Sequence, residues 1–531
     1  MRGDHPPTRL HDLPTRTLTV AAEQGSAVLS RRTLLVGTVA GLTALGLPAC
    51  SPTSQPATTS APADAAFAEL DAKIEAAMTA YRIPGVAVGV LAGGTEYLRG
   101  YGVTTVDRPV PVDGDTLFRI GSTTKTFTGT AIMRLVDDGR IDLDAPVREY
   151  LPDFAVADPV ASATVTVRQL LDHTSGWLGD FLQDFGRGDD AIARYVAAMT
   201  RLPQLNPPGT VFGYNNAGLV VAGRILEVIT GSTYETAVQD LLLDPLALTR
   251  TRFFSDQIIG LNVAAAHNVV DDKAVVDTGF WHFPRSCNPT GSLISTARDQ
   301  LRYARFHLGD GTTDGTRLMS ANALRAMRSN PGAGGTLQVE LTGMGVTWML
   351  RPSAQGETIV QHGGTWSGQR SGFFLVPTRD FAMTVLTNSE GGARLLADLF
   401  ADDWSLRTFA GITNLPATPQ RLSAGELAPY EGRYVTDQIT ETGSWEHAVI
   451  DFRGGDGHLI GTMSDTPDAS TNPGESAAPQ LGLAFYRPDY GLDLNAELEP
   501  VGTRSDFVRG ADGRIAWFRS HGRLYRRQRA R

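Results

Sequence analysis

Two pairs of strand signals bracket a long helix-rich stretch, and this arrangement constrains the fold more than any other feature of the chain. Val86 to Leu91 reads as a buried strand, with Glu96 to Tyr101 as its hairpin partner across Ala92-Gly93-Gly94-Thr95. Far downstream, Gly372 to Val376 and Phe381 to Leu386 repeat the pattern around the turn Pro377-Thr378-Arg379-Asp380. If the block buries one core, the two pairs share a sheet built from both ends, and the helices between them form an insert. Helical spacing at Phe67, Leu70, Ile74 and Met78 precedes the first strand, and a last helix is expected over about Ala393 to Phe409. The expected fold is an α/β (α+β) domain over residues 67–410, with an antiparallel sheet and a helical insert.

From about Leu415 the pattern changes to short β-like runs at 432–435, 447–452, 458–461, 483–486 and 514–518, with a polar loop at 464–479. Such spacing predicts a small all-β barrel or sandwich over residues 411–531.

The N-terminus reads as an address. Ser30-Arg31-Arg32-Thr33-Leu34-Leu35 is a twin-arginine pattern, followed by an apolar run too short and glycine-rich for a membrane span. Leu47-Pro48-Ala49-Cys50 resembles a lipobox, so lipidation is expected on Cys50. Residues 1–49 are expected to be the export signal, and the Ser/Thr/Pro/Ala-rich residues 50–66 a flexible tether. The product would be exported, as a cell-envelope lipoprotein or a secreted protein, with a lipid anchor as its one membrane contact. The second cysteine, Cys287, is then left unpaired, which predicts neither a disulfide framework nor a cysteine metal site.

Charge narrows the partners. The 531 residues carry 47 Lys plus Arg against 57 Asp plus Glu, a net charge of −10, and no basic stripe in the central region marks a nucleic-acid surface. Only Lys73, Lys125 and Lys273 are lysines. Arg stays charged at any working pH, whereas a desolvated Lys can give up its proton, so a lysine retained at a motif position points to a deprotonatable amine.

That position is in Ile120-Gly121-Ser122-Thr123-Thr124-Lys125, followed by apolar residues at helical spacing. Residues i and i+3 share a helix face, so the Lys125 amine can approach the Ser122 hydroxyl and take its proton. The helix start also offers N–H groups to a developing oxyanion. A second element, Gly213-Tyr214-Asn215-Asn216, places Tyr214 and Asn216 on a loop before an apolar helix. A phenol beside an ammonium can have its pKa lowered and shuttle protons, and Asn216 can donate to a substrate carbonyl. A third, Gln361-His362-Gly363-Gly364-Thr365, stands just before the second strand pair. Its glycines, Gly363 and Gly364, admit a substrate backbone, His362 can hydrogen-bond near the nucleophile, and Thr365 N–H can join Ser122 N–H in an oxyanion hole. Each motif alone also fits a capped surface helix, a turn with a buried Tyr, or a glycine-rich strand entry.

In this order, and with the phrases Leu170-Leu171-Asp172-His173-Thr174-Ser175-Gly176 and Asn206-Pro207-Pro208-Gly209, residues 67–410 resemble the β-lactamase-related serine hydrolases. These include class C β-lactamases, D-alanyl-D-alanine carboxypeptidases and related esterases. The resemblance implies an acyl-enzyme on Ser122, a base role shared by Lys125 and Tyr214, and substrate binding by Asn216 and by His362 to Thr365. It leaves His173 in a structural turn. His362 stands where many relatives have the Lys of a K-T-G triad, which points toward ester or peptide-like substrates, with Arg370 as a stand-in carboxylate contact. Leu427-Ala428-Pro429-Tyr430-Glu431-Gly432-Arg433-Tyr434 resembles the start of the lipocalin-like β domain that follows such hydrolases; it would cover the site mouth or bind envelope material. The implied partner is a small-molecule or peptide-like substrate, with no cofactor. The competing readings are a catalytically inactive penicillin-binding-like sensor or envelope scaffold, and a metallohydrolase. The ten scattered histidines disfavour the metallohydrolase.

Overall fold

The computed structural model describes residues 61–464, 480–495 and 497–528. The expected signal, Cys50 and most of the tether lie outside the described residues.

Helix α1 (Ala61–Ala80) enters first, followed by β1 (Gly85–Ala92) and β2 (Thr95–Gly102). The remaining strands of the main sheet come late in the chain: β3 (Gly343–Met344), β4 (Met349–Pro352), β5 (Thr358–Trp366), β6 (Gln369–Val376) and β7 (Phe381–Thr387). They form one seven-stranded sheet in the order β3-β4-β5-β6-β7-β1-β2, and β1 pairs antiparallel with β7. The chain ends of the block therefore meet at the middle of the sheet, as the two strand pairs require.

β1 is buried on both faces, which explains its near-continuous apolar run. Val86, Val88 and Val90 pack with Phe67, Leu70 and Ile74 of α1. Ala87 and Leu91 face the larger core on the other side, where the helical insert lies. Three helices of that side matter here: α2 (Thr124–Asp137), α3 (Asn216–Thr230) and α4 (Ala297–Leu308). The terminal helix is interrupted; it starts as α5 (Gly392–Leu396) and continues in two wider, π-type turns.

The C-terminal region closes into an eight-stranded antiparallel barrel. Its strands are β8 (Gly432–Ile439), β9 (Trp445–Gly454), β10 (Leu459–Ser464), β11 (Gln480–Arg487), β12 (Tyr490–Leu494), β13 (Pro500–Arg509), β14 (Ile515–Ser520) and β15 (Arg523–Arg527). Three of these, β12, β13 and β15, went unread in the sequence because charged and polar residues interrupt their apolar alternation. The barrel core is packed with Tyr434, Phe452, Phe485, Phe507 and Phe518, closed by Leu427 and Tyr430. Side chains fill the barrel, as expected for eight strands.

One end of the barrel is seated on the first block. Ile439 N–H donates to Asp180 O at 2.8 Å, and Leu182 N–H to Ile439 O at 2.8 Å. Thr336 Oγ1 donates to the buried Asp506 at 2.6 Å, and Arg519 to Gly334 O at 3.0 Å.

Candidate active site

Ser122 sits on a 3₁₀ turn, Gly121–Thr123, that runs directly into α2. The turn needs two glycines. Gly121 has φ +50°, and a Cβ there would lie 2.6 Å from Thr365 N. Gly364 lies against the same turn from β5, where a Cβ would meet Ile120 O at 1.9 Å. Ser371 Oγ donates to Ile120 O at 2.7 Å, which fastens the turn to the sheet. Gly364→Ala should therefore push the nucleophile turn off the sheet. The expected result is a loss of about 1–3 kcal/mol in urea unfolding, together with slower acylation.

Lys125 is fully buried on the first turn of α2, one helical step from Ser122. Its Nζ donates to Ser122 Oγ at 3.0 Å and to Thr290 O at 2.7 Å. No carboxylate lies within ion-pair distance of it among the described residues. Burial holds its pKa well below the ordinary lysine value and the Arg523 charge adds to this, while Asp180 and Cys287 act in the opposite sense.

Tyr214 is buried beside this pair. Lys125 Nζ lies 5.0 Å from its ring centre, and the Ser122 side chain acts on its phenol. The sequence reading expected a neighbouring ammonium to lower its pKa. Instead burial wins and pushes the phenol up to about 12, with Ser122 and Arg523 pulling the other way. The physical reason is that a phenolate at this buried site would lose its hydration, and that cost outweighs the nearby positive charge. The phenol is a proton donor at neutral pH.

The Y-x-N loop is clamped from two sides. Asn215 caps α3, its side chain accepting from Gly218 N–H at 2.8 Å. His173, with φ +59°, accepts from Asn215 N–H at 3.0 Å through Nδ1, and its ring centre lies 4.6 Å from that of Tyr214. His173 thus supports the loop. Asn216 donates its side-chain amide to Asp180 at 2.7 Å, which fixes its orientation and leaves its second N–H.

The H-G-G motif lies inside strand β5, whereas the sequence reading placed it just before a strand pair. Two adjacent glycines conceal the strand, because glycine carries no strand signal. His362 is buried, and its Nδ1–H donates to Gly363 O at 2.7 Å, so Nε2 is an acceptor; it is buried and without a partner. Burial lowers its pKa to about 3, with Lys125 acting in the same direction. The imidazole is therefore neutral and adds no positive charge. Gly363 is paired with Gly372, and Thr365, exposed, with Arg370. Strand alternation decides against Arg370 as a carboxylate contact: it shares a face with Gly372 and Phe374, which pack toward Leu396 and Phe400, while Ser371 faces the nucleophile turn.

Two charged residues were missed by sequence reading. Arg523, at the start of β15, donates to Asp180 through Nε at 2.9 Å and through a terminal N–H at 3.2 Å. Its guanidinium lies 4.8 Å from the Tyr214 ring centre. The preceding residue, Gly522, accepts from Tyr214 N–H at 2.8 Å. The barrel thus reaches Tyr214 with a hairpin tip. No sequence signal marks Arg523, one of many arginines in a C-terminal run whose partner lies far away in the chain. Cys287 is buried and has no disulfide partner among the described residues, with burial pushing its thiol up to about 12. Among the described residues no cluster of His, Cys, Asp and Glu could hold a metal ion.

A seven-stranded sheet with a helical insert, carrying Ser-x-x-Lys on a turn under the third strand of the sheet and a tyrosine on an inserted loop, is the architecture of the penicillin-binding and β-lactamase-like folds. The chain belongs to the beta-lactamase family, whose profile matches residues 70–405 and whose members are generally serine hydrolases. Penicillin-binding protein 4 of Amycolatopsis lactamdurans is 36% identical over 368 residues, 68% of this chain and 96% of that one. The crystal structure of SurE aligns with a TM-score of 0.68 at 26% identity, covering 88% of this chain and all of that one; SurE has also been solved with D-Leu. A class C beta-lactamase shares the fold, with a TM-score of 0.52 at 22% identity over 62% of this chain and 94% of that one.

Proposed function

We propose that this protein is an exported serine hydrolase that forms an acyl-enzyme on Ser122 and acts on ester or amide bonds of D-amino-acid-containing, peptide-like substrates. The observation that carries the reading is the buried Lys125 amine, 3.0 Å from Ser122 Oγ and without a carboxylate partner among the described residues. A neutral amine accepts the Ser122 proton as Oγ bonds to the substrate carbonyl carbon. The carbonyl oxygen, becoming an oxyanion, accepts from the N–H groups of Ser122 and Thr365. As the scissile bond breaks, Tyr214 donates its proton to the leaving nitrogen or oxygen, and the proton held by Lys125 restores the phenol. Water then attacks the ester carbon with the same groups acting in reverse. Asn216 offers its second N–H to the substrate backbone.

The preference for D-residue substrates is supported by the likeness to penicillin-binding protein 4 and to SurE, which has been solved with D-Leu. The neutral His362 gives no fixed charge for a β-lactam carboxylate, so nitrocefin turnover should be slow. Export and lipidation at Cys50 are supported by the twin-arginine and lipobox-like patterns. Mass spectrometry of the mature cell-envelope protein tests them: a chain still carrying residues 1–49 would refute export, and an unmodified Cys50 at a mature N-terminus would refute the anchor.

The base assignment makes a pH prediction. Acylation should slow as pH falls through the lowered Lys125 pKa, because only the free amine accepts a proton. His362, at about 3, is already neutral and cannot supply such a limb near neutral pH. Lys125→Arg retains the charge but cannot be a base, so labelling of Ser122 by a fluorophosphonate should stop at every pH. A Lys125→Arg protein that still labels with the wild-type pH profile would overturn the assignment.

A further inference from the structure

The two sides of Ser122 differ in chemistry. Toward Tyr214 the walls are polar: Asp180, Asn216 and Arg523. On the other side, the β5–β6 hairpin ends in Trp366, the residue after Thr365. Its Nε1–H donates to Phe280 O at 3.0 Å, and its ring centre lies 4.6 Å from that of Phe283. Trp281 continues the wall, its ring 3.9 Å from Phe280, and keeps 42% of its surface exposed.

The wall reaches the nucleophile. The Phe283 ring lies 3.3 Å from where a Cβ on Gly291 would be, and that same point is 3.6 Å from the carbonyl carbon of Gly121. Gly291 follows Thr290, whose carbonyl holds Lys125 Nζ. The wall is also held rigidly. The buried Arg119 donates to Trp281 O at 2.9 Å and to Ser292 O at 3.1 Å, and its guanidinium lies 5.8 Å from the Phe283 ring centre. The Trp366 ring, held by its bond to Phe280 O, loses little entropy on binding.

Orientation follows from the proposed chemistry, on which this inference rests. Tyr214 must reach the leaving atom, so the leaving group lies on the polar side. The carbonyl oxygen lies between the N–H groups of Ser122 and Thr365. The remaining substituent, the acyl side, is thereby directed toward Trp366 and Phe283.

We propose that Phe283, Trp366 and Trp281 form the acyl-side specificity pocket, and that it takes a bulky apolar or aromatic side chain on the residue esterified to Ser122. The test compares the p-nitrophenyl esters of N-acetyl-D-phenylalanine and N-acetyl-D-alanine, with p-nitrophenyl acetate as reference. For the full-length protein, kcat/KM on the phenylalanyl ester should exceed that on the alanyl ester by about tenfold or more, the discrimination an apolar pocket can supply. Trp366→Ala and Phe283→Leu should each bring that ratio toward unity, while Trp366→Phe should keep most of it. A wild-type ratio near unity overturns the pocket, and so does a variant that slows both amino-acid esters by the same factor. If the acetate ester turns over and Ser122 labels but the ratio is flat, the pocket alone is wrong. If no ester turns over and Ser122 does not label, the acyl-enzyme reading fails and the pocket fails with it.

Discussion

Ser122→Ala should remain folded and lose turnover of p-nitrophenyl esters by about four orders of magnitude or more, the scale seen when a hydrolase loses its nucleophile. Removing Oγ deletes an acceptor for Lys125 but leaves the amine its 2.7 Å bond to Thr290 O, so no buried donor is abandoned outright. Ser122 is half-buried on a turn fixed by backbone contacts, and Ala suits that turn as well as Ser does. The stability change should stay within about 1 kcal/mol, the net value of one hydrogen bond. The check is intact mass after fluorophosphonate or penicillin treatment: one adduct on the wild type and none on the variant. Residual activity within tenfold of the wild type would mean a different nucleophile. A wild type that forms no adduct would favour the inactive sensor.

The second large effect is expected from Arg523→Leu, in the barrel. Asp180 keeps only 12% of its side-chain surface and depends on Arg523 and Asn216 for its polar contacts. Removing one partner of an enclosed ion pair costs about 3–5 kcal/mol, but Arg523 keeps 35% of its side-chain surface and is partly screened. About 1–3 kcal/mol is therefore the expected loss, measured by urea unfolding. Activity should suffer more than stability, because Asn216 loses its fixed partner and Tyr214 loses the cation over its ring. The Arg523→Leu, Asp180→Asn double variant should recover part of the stability, since it leaves no unpaired carboxylate. It should not recover kcat. If Arg523→Leu left both kcat and the pH profile unchanged, the barrel would be a structural attachment with no part in the site.

How much of this was legible in the chain varies with the range of the interactions. Ser122 and Lys125 are three residues apart, and helix geometry alone brings them together. β1, β6 and β7 were legible because buried strands carry apolar runs, and β2 because it follows β1 across a glycine turn. β5 was not, because Gly363 and Gly364 remove the side chains that signal a strand, although their absence is what lets the strand lie against Ile120 O. The direction of the Tyr214 pKa was also not legible. It is set by how deeply the phenol itself is buried, which only the packed structure decides.

The sequence by itself determined the local chemistry: which hydroxyl, which amine and which phenol are available, and that the sheet is closed from both ends of the block. Tertiary structure alone decided that Arg523 and Asp180 join them, that Arg370 faces away, and that an aromatic wall stands beside the nucleophile. The reason is physical. Local periodicity and motif spacing record interactions within a few residues, whereas an ion pair or a wall is formed by segments hundreds of positions apart, whose meeting depends on how the whole core packs.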